Sequence, residues 1–277
     1  MTTDTANSIT LLNGVTMPHI GLGTWPLDDA GSASAVQSAL KLGYRLIDTA
    51  ENYGNETGVG EGIRKSGIAR EEIFVTTKFN RKWHSVEGVQ QAWEASRTRL
   101  GLDYIDLLLV HWPNPDQDRY VDAVEGLVRL LDAGKVRAIG VSNFKQAHLQ
   151  KLFDAGLVPH VNQIQLDPYH LRDDLAAVNA QHGIVTETWS PIGRGGSLLA
   201  ERVIVDLAQR YERTPAQIVL RWHTQRGYVP LPKSADPKRQ AENLALFDFR
   251  LKDEELAAIS ALQRPDPDML DADKFGH

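Results

Sequence analysis

The chain has 277 residues, 42% of them hydrophobic and 24% charged, an ordinary globular composition with enough length to bury one large core or two small ones. Its net charge of −6 argues against binding nucleic acid or an anionic membrane through a global field. The absence of cysteine excludes disulfides, thiolate metal sites and cysteine nucleophiles, and no apolar run approaches the roughly 18 residues that suggest a membrane-spanning helix.

The segment Met1–Ser8 is polar and lacks the apolar core of a secretory signal, which points to a cytoplasmic protein. Ile9–Leu12 and Val15–Met17 then read as a β-hairpin, joined at Asn13-Gly14 in a type I′ turn. Gly21–Gly23 is a weak first strand. Stronger apolar or β-branched runs follow near Arg45–Ile47, Ile73–Thr77, Tyr104–Val110, Val136–Val141, His160–Gln165, Ile184–Trp189 and Tyr228–Leu231. Between them, Ser85–Leu100 sets Val86, Val89, Trp93, Ser96 and Leu100 on one helical face. Asp118–Ala133 does the same with Val121, Val124, Leu127, Val128 and Leu131. Gly134 and Gly156 fit helix C-terminal caps just before strands. Two further helical stretches, Leu199–Tyr211 and Pro215–Arg226, precede the last strand. Thr214-Pro215 matches an N-cap followed by proline at the first helical position.

Most strand starts lie 24 to 32 residues apart, and the last interval is 44. A strand, a helix and two loops fill such an interval, so the pattern predicts a single-domain α/β fold, a (β/α)8 TIM barrel over residues 1–277. The hairpin precedes the first strand and is placed to cap the bottom of the barrel. The rival is an open doubly wound sheet with a glycine-rich dinucleotide turn. Gly21-Leu22-Gly23-Thr24-Trp25-Pro26 lacks the third glycine of that turn.

In such a barrel the chemistry sits at the C-terminal strand ends. The first polar residues there are Asp48, with Tyr53 in the loop behind it, then Lys78, and His111 followed by Trp112. Ser142-Asn143, Gln163 and Gln165, Trp189-Ser190-Pro191 and Lys233-Ser234 complete the rim. One at a time, each has an ordinary structural explanation as a cap, a solvated strand end or a core aromatic. Asp48, Tyr53, Lys78 and His111, however, converge from three consecutive strand ends. A tyrosine has a reference pKa of about 10, too high for efficient acid–base work at neutral pH. A neighbouring lysine lowers it by favouring the phenolate, and burial opposes that pull. Asp48 keeps Lys78 charged, and a neutral His111 donates to a carbonyl oxygen. The set suits protonation of an alkoxide as it forms. Nothing in it is a redox centre, so hydride must come from a cofactor. No ligand spacing for a metal is present.

These residues lie in motifs that resemble the aldo-keto reductase family from about Ile9 to Phe249. Gly43-Tyr44-Arg45-Leu46-Ile47-Asp48-Thr49-Ala50 followed by Tyr53-Gly54-Asn55-Glu56 is similar to the family's first signature. Leu107-Leu108-Leu109-Val110-His111-Trp112-Pro113 and Gly140-Val141-Ser142-Asn143-Phe144 resemble two of its strand motifs. Leu231-Pro232-Lys233-Ser234 with Arg239 and Glu242-Asn243 resembles its adenosine-phosphate motif. The resemblance implies an eight-stranded α/β barrel and NADPH-dependent reduction of aldehydes or ketones, usually without a metal. It makes Tyr53 the general acid, Lys78 and Asp48 its tuning pair, and His111 the group that orients the carbonyl. It places Ser142, Asn143 and Gln163 on the nicotinamide carboxamide and Trp189 on the nicotinamide ring. The coenzyme side also includes Gly23, Thr24, Trp25 and the loop Ser190, Pro191, Ile192 and Gly193. Tryptophan at 189, where many members have tyrosine, is similar to the short bacterial 2,5-diketo-D-gluconate reductase-like members.

For the 2′-phosphate that distinguishes NADPH from NADH, Lys233 offers a point charge, Arg239 a fork of donors and Ser234 a hydroxyl. Pro237-Lys238-Arg239-Gln240 also reads as the basic start of an exposed helix. Trp25, Phe79, Trp83 and Trp112 predict an aromatic rim that suits apolar or flat carbonyl compounds, while the family resemblance implies small aldehydes, dicarbonyls or keto-sugars as substrates. Trp93 and Trp222 fall in helical stretches and read as core. The tail Arg264–His277 departs from the family's longer C-terminal loop, with Met269, Leu270 and Phe275 available to fold over the pocket. The expected partner is a small carbonyl compound met by a monomer, without nucleic acid or membrane. The alternatives are an NADPH-binding regulatory subunit with weak catalysis and a metal-dependent barrel lyase or hydrolase; the intact tetrad favours the reductase.

Overall fold

The computed structural model describes residues 7–265 and 269–276. A short hairpin, β1 (Ser8–Thr10) and β2 (Thr16–Pro18), opens the chain. Eight parallel strands follow: β3 (Leu22–Gly23), β4 (Leu46–Asp48), β5 (Phe74–Phe79), β6 (Ile105–Val110), β7 (Val136–Ser142), β8 (Val161–Gln165), β9 (Val185–Trp189) and β10 (Val229–Pro230). Each pairs with its neighbour in sequence. The sheet closes where Gly21 and Gly23 donate their N–H groups to the carbonyls of Pro230 and Pro232, both at 3.1 Å. A β-carbon on Gly23 would stand 2.9 Å from the Leu231 carbonyl oxygen, so glycine is what lets the first strand approach the last. The weak strand signal at Gly21–Gly23 therefore marks the seam of a (β/α)8 barrel. No strand order reverses, which rules out the doubly wound sheet.

The helices are α1 (Asp29–Leu42), α2 (Glu56–Ser66), α3 (Val86–Leu100), α4 (Tyr120–Asp132), α5 (Gln146–Asp154), α6 (Asp173–Gln181), α7 (Arg202–Tyr211), α8 (Pro215–Gln225), α9 (Pro237–Leu244) and α10 (Asp253–Ser260). The predicted α3 starts after Ser85, whose side chain accepts from the Gly88 N–H. For α8, the Thr214 hydroxyl accepts from the Gln217 N–H, and the Gln217 side chain accepts from the Thr214 N–H. That reciprocal pair is a capping box. Gly134 and Gly156 both have left-handed backbone, consistent with residues ending α4 and α5. The stretch from Leu199 is not one helix. A 3-10 turn, Ser197–Ala200, ends at extended Glu201, and α7 begins only at Arg202. Trp93 and Trp222 are buried core residues, as their helical positions predicted.

Two apolar layers result. The larger lies between strands and helices; the smaller fills the barrel with Leu46, Phe74, Leu107, Val161 and Val229 around Leu11 and Met17 from the hairpin region. The hairpin thus plugs the bottom as predicted, and Asn13 Nδ2 ties it to the Arg137 carbonyl at 2.9 Å. Its turn differs from the predicted type I′. Gly14 N–H bonds to the Leu11 carbonyl at 2.8 Å, making Leu12 and Asn13 the central pair, and Gly14 alone in this turn has positive φ, +83°. Type I′ needs positive φ at both central residues. The lone left-handed glycine instead fits a wider loop.

Candidate active site

Strand alternation aims the site. On β5, Phe74 lies in the inner layer while Val75 and Phe79 lie in the outer one, so Lys78 points into the barrel. Lys78 is fully buried, and its Nζ donates to both Asp48 oxygens at 2.8 Å and to the Thr49 carbonyl at 2.9 Å. The Tyr53 hydroxyl oxygen lies 3.3 Å from the same Nζ. Tyr53 ends a 3-10 turn, Glu51–Tyr53, closed by left-handed Gly54, which returns the ring to the mouth. His111 follows β6 and meets the Tyr53 ring edge-on with centroids 5.9 Å apart.

Burial is the largest influence on both partners. It favours neutral Lys78, but the charge of Asp48 and the contact with Tyr53 outweigh it and hold the ammonium above its ordinary pKa. For Tyr53, burial pushes the phenol up, Asp48 pushes the same way, and Lys78 pulls down by charge and hydrogen bond. The result lies above the ordinary tyrosine value. The pull of Lys78 expected from sequence is present, but burial exceeds it, so the phenol is the resting form at neutral pH.

A second set faces this one across the mouth. Ser142 Oγ donates to the Gln163 carbonyl at 2.9 Å. Asn143, in left-handed backbone at φ +64°, donates to the His111 carbonyl at 3.1 Å and accepts from Trp189 Nε1 at 2.9 Å. That last bond fixes the plane of the Trp189 ring. Gln163 Nε2 donates to Asp48 Oδ1 and to Glu187 Oε2, both at 2.9 Å. Glu187 is fully buried, and burial together with the Asp48 charge pushes its carboxyl up to about 8.

All these groups line or underlie one cavity of about 760 Å³. Gly23, Thr24, Trp25, Ser190, Pro191 and Ile192 line it, and Lys233 and Arg239 lie along it beyond the barrel seam. A flat fixed indole, side-chain amides and exposed cations along one cavity fit an anionic dinucleotide. Gly193, Ser234, Glu242 and Asn243 do not line the cavity. The Ser234 hydroxyl instead bonds within its own loop, accepting from the Asp236 N–H at 3.1 Å ahead of α9. Arg239 lies in the first turn of α9, so the basic run does open a helix, and its side chain lines the cavity.

Of the predicted aromatic rim, Trp25 and Trp112 line the cavity, together with Tyr53 and His111 of the tetrad. Phe79 does not: adjacent residues on a strand face opposite sides, and an inward Lys78 sends Phe79 into the outer core. Trp83 stands aside as well, its Nε1 donating to the Glu51 carboxylate at 3.0 Å. The tail does reach the pocket. Leu270 and Phe275 line it, and Phe275 packs edge-on against Trp112 with centroids 4.9 Å apart. Lys145 pairs with Asp271 and, at 2.6 Å, with Asp273; His148 Nε2 is 2.9 Å from Asp273. Met269 approaches Arg172 instead. The part of the tail at 266–268 and 277 lies outside the described residues.

Asn52, Arg194 and Gly195, which line the cavity, and Glu187 beneath it escaped the sequence reading. Asn52 adjoins the tyrosine, and Arg194 holds its guanidinium 5.8 Å from the centres of both Trp25 and Trp189. Glu187 had a visible signal: it lies two residues before Trp189 on one strand and so shares its inward face. Among the described residues no cluster of three or more metal-ligating side chains occurs, and no helix is long and apolar enough to cross a membrane.

Residues 19–264 match the Aldo/keto reductase family. The chain is 47% identical over 274 residues to a methylglyoxal reductase DkgA of Yersinia pestis, covering 96% of this chain and 98% of that one. It is 45% identical over 268 residues to an aldo-keto reductase of Mycolicibacterium smegmatis, covering 94% and 96%. Among solved structures, it resembles a Gox0644 variant in complex with NADPH, with a TM-score of 0.92, 41% identity and 98% of each chain covered. It also resembles an aldo-keto reductase of Bombyx mori in complex with NADP, with a TM-score of 0.87, 35% identity and 92% of each chain covered.

Proposed function

The chain belongs to the aldo/keto reductase family, and from that premise we propose that it is an NADPH-dependent oxidoreductase reducing aldehyde or ketone groups of small molecules to alcohols, with Tyr53 as the general acid. Dicarbonyls, small aldehydes and keto-sugars are the substrates we favour, since the DkgA relatives carry the name of a dicarbonyl reductase. The observation that carries the reading is the single hydrogen-bonded run from the Tyr53 hydroxyl through Lys78 to Asp48, at 3.3 and 2.8 Å, opening into the cavity beside His111.

When bound, NADPH supplies the hydride. Every other part of the reaction falls to the chain's own groups. The substrate carbonyl oxygen sits between Tyr53 and His111, which hold it by hydrogen bonds. As the carbonyl carbon gains the hydride, the oxygen takes the Tyr53 proton and the C=O double bond becomes a C–OH single bond. Lys78 stabilises the phenolate left behind, which regains its proton from solvent. Ser142, Asn143 and Gln163 would hold the carboxamide of the nicotinamide, Trp189 would support its ring, and Lys233 and Arg239 would bind the 2′-phosphate. We read the molecule as a cytoplasmic monomer of one domain, with no nucleic-acid or membrane partner, in keeping with its net charge of −6. The decisive experiment follows NADPH absorbance against a panel of aldehydes, dicarbonyls, keto-sugars and ketosteroids. Turnover of at least one aldehyde or dicarbonyl is expected; NADPH binding with no turnover across the panel would overturn the reading.

A further inference from the structure

Glu187 is a fully buried acid inside a barrel whose chemistry, as derived above, does not use it. It stands beside Gln163 in the β8–β9 register and on the same inward face as Trp189. The Nε2 of Gln163 lies between two carboxyl groups, 2.9 Å from Asp48 Oδ1 and 2.9 Å from Glu187 Oε2. We propose that Glu187 is a positioning residue for the nicotinamide end of the coenzyme, locking the Gln163 amide with both N–H groups turned inward and its Oε1 left for the pocket.

The inference rests on the NADPH reading, and its physical basis is the count of donors and acceptors. An amide nitrogen has two hydrogens and no acceptor. Two carboxyl oxygens, one from Asp48 and one from Glu187, take both. A flipped amide would turn its oxygen against the ionised Asp48, which has no proton to give, losing that hydrogen bond and adding repulsion, so the amide keeps its second N–H for Glu187 Oε2. Asp48 is itself fixed by the Lys78 ammonium, so Glu187 is the second of two anchors on one nitrogen. With both hydrogens used, Gln163 meets the coenzyme only as an acceptor, which suits the N–H groups of a carboxamide. The charged groups facing Glu187 are Asp48 and Lys78. Burial and Asp48 keep its carboxyl predominantly protonated at neutral pH, so it anchors Gln163 without setting a second negative charge beside Asp48.

The test compares two probes, NADPH and adenosine 2′,5′-bisphosphate, which carries the phosphate end and lacks the nicotinamide. Affinities are measured on the whole chain by quenching of tryptophan fluorescence. Glu187→Leu is expected to weaken NADPH about tenfold, the worth of one hydrogen bond, and to leave the bisphosphate within about twofold. Glu187→Gln, whose amide oxygen accepts the same N–H, is expected to keep NADPH affinity within about threefold of wild type. Glu187→Met carries the same comparison should the leucine variant not fold. Wild-type NADPH affinity in the leucine variant overturns the proposal. Equal loss of both probes does so too, since it marks a general defect of the cleft, as does a glutamine variant as weak as the leucine one. Wild-type protein that binds neither probe would instead overturn the coenzyme reading, an outcome seen before any substitution is made.

Discussion

Removing one oxygen atom from Tyr53 separates binding from chemistry. Tyr53→Phe keeps the ring against His111 and should leave NADPH affinity near wild type. Turnover should fall about a hundredfold or more, the usual worth of general acid catalysis; near-normal turnover would remove Tyr53 from the role. Lys78→Met tests the tuning. With Tyr53 as the proposed proton donor, reduction needs the phenol, and its rate should fall as pH rises through the Tyr53 pKa. Lys78 pulls that pKa down against burial, and losing it should move the alkaline limb of residual activity to higher pH. The three groups titrate as a coupled set, so only apparent values are compared, and an unchanged limb in an active variant would refute the tuning. The same substitution strands the Asp48 carboxylate and should cost about 3–5 kcal/mol of stability. At the far end of the cavity, Lys233→Ala and Arg239→Ala should each weaken NADPH roughly ten- to a hundredfold with little effect on NADH. Equal losses for both coenzymes would mean that these side chains only support the loop.

Among the elements, the hairpin has the most visible structural duty. Met17 is fully exposed to the barrel interior and not to water, packed with Leu46, Phe74 and Val229 in the inner layer. Met17→Ala should cost about 2–5 kcal/mol, with the residual cavity setting where in that range it falls. Thermal unfolding should register the loss at about 2–4 °C per kcal/mol, while coenzyme affinity, read at the opposite end of the barrel, stays unchanged. Elements carried by local chemistry were the most legible. Thr214-Pro215 marked the start of α8, and Ser85 with its apolar stripe marked α3. The turn at Asn13-Gly14 was misread because the dipeptide permits several loops, and the pairing of Thr10 with Thr16 selects the longer one. The apolar stripe from Leu199 hid the break at Glu201, since a 3-10 turn and an α-helix both bury residues at similar spacing.

For the molecule as a whole, buried ionisable groups make stability depend on pH in both directions. Glu187 is raised in the fold from 4.5 to about 8. Its contribution is therefore fully present below the unfolded value and lost as pH rises through the folded one, amounting to on the order of 3 kcal/mol by pH 7. Glu187→Gln removes that dependence. Urea unfolding from pH 5 to pH 8 should find the variant gaining on wild type as pH increases; a constant difference would mean that Glu187 is ionised in the fold. His223 acts on the acid side. Burial pushes it down to about 3, with its ring held between Thr188 and the Pro191 carbonyl, so its contribution is lost as pH falls from about 6.5 toward that value.

The sequence by itself determined the repeating strand–helix plan, the caps, the hairpin and the polar residue at each strand end, because periodicity and turn chemistry act over a few neighbouring residues. It also carried Asp48, Lys78 and His111, since each follows an apolar run whose end is legible, and Tyr53 in the loop just behind Asp48. Only the tertiary structure decided which neighbours of those residues share the cavity. Strand parity turned Phe79 outward once Lys78 turned inward, and brought Glu187 beneath Trp189. Closure of the barrel put Lys233 and Arg239 along the cavity that begins at Tyr53. The tail reached Trp112 through ion pairs between Lys145 and residues more than a hundred positions later, Asp271 and Asp273. The protonation of Tyr53 was decided there too: charge favours the phenolate through Lys78, burial favours the phenol, and how much water a side chain loses is a property of the packed fold.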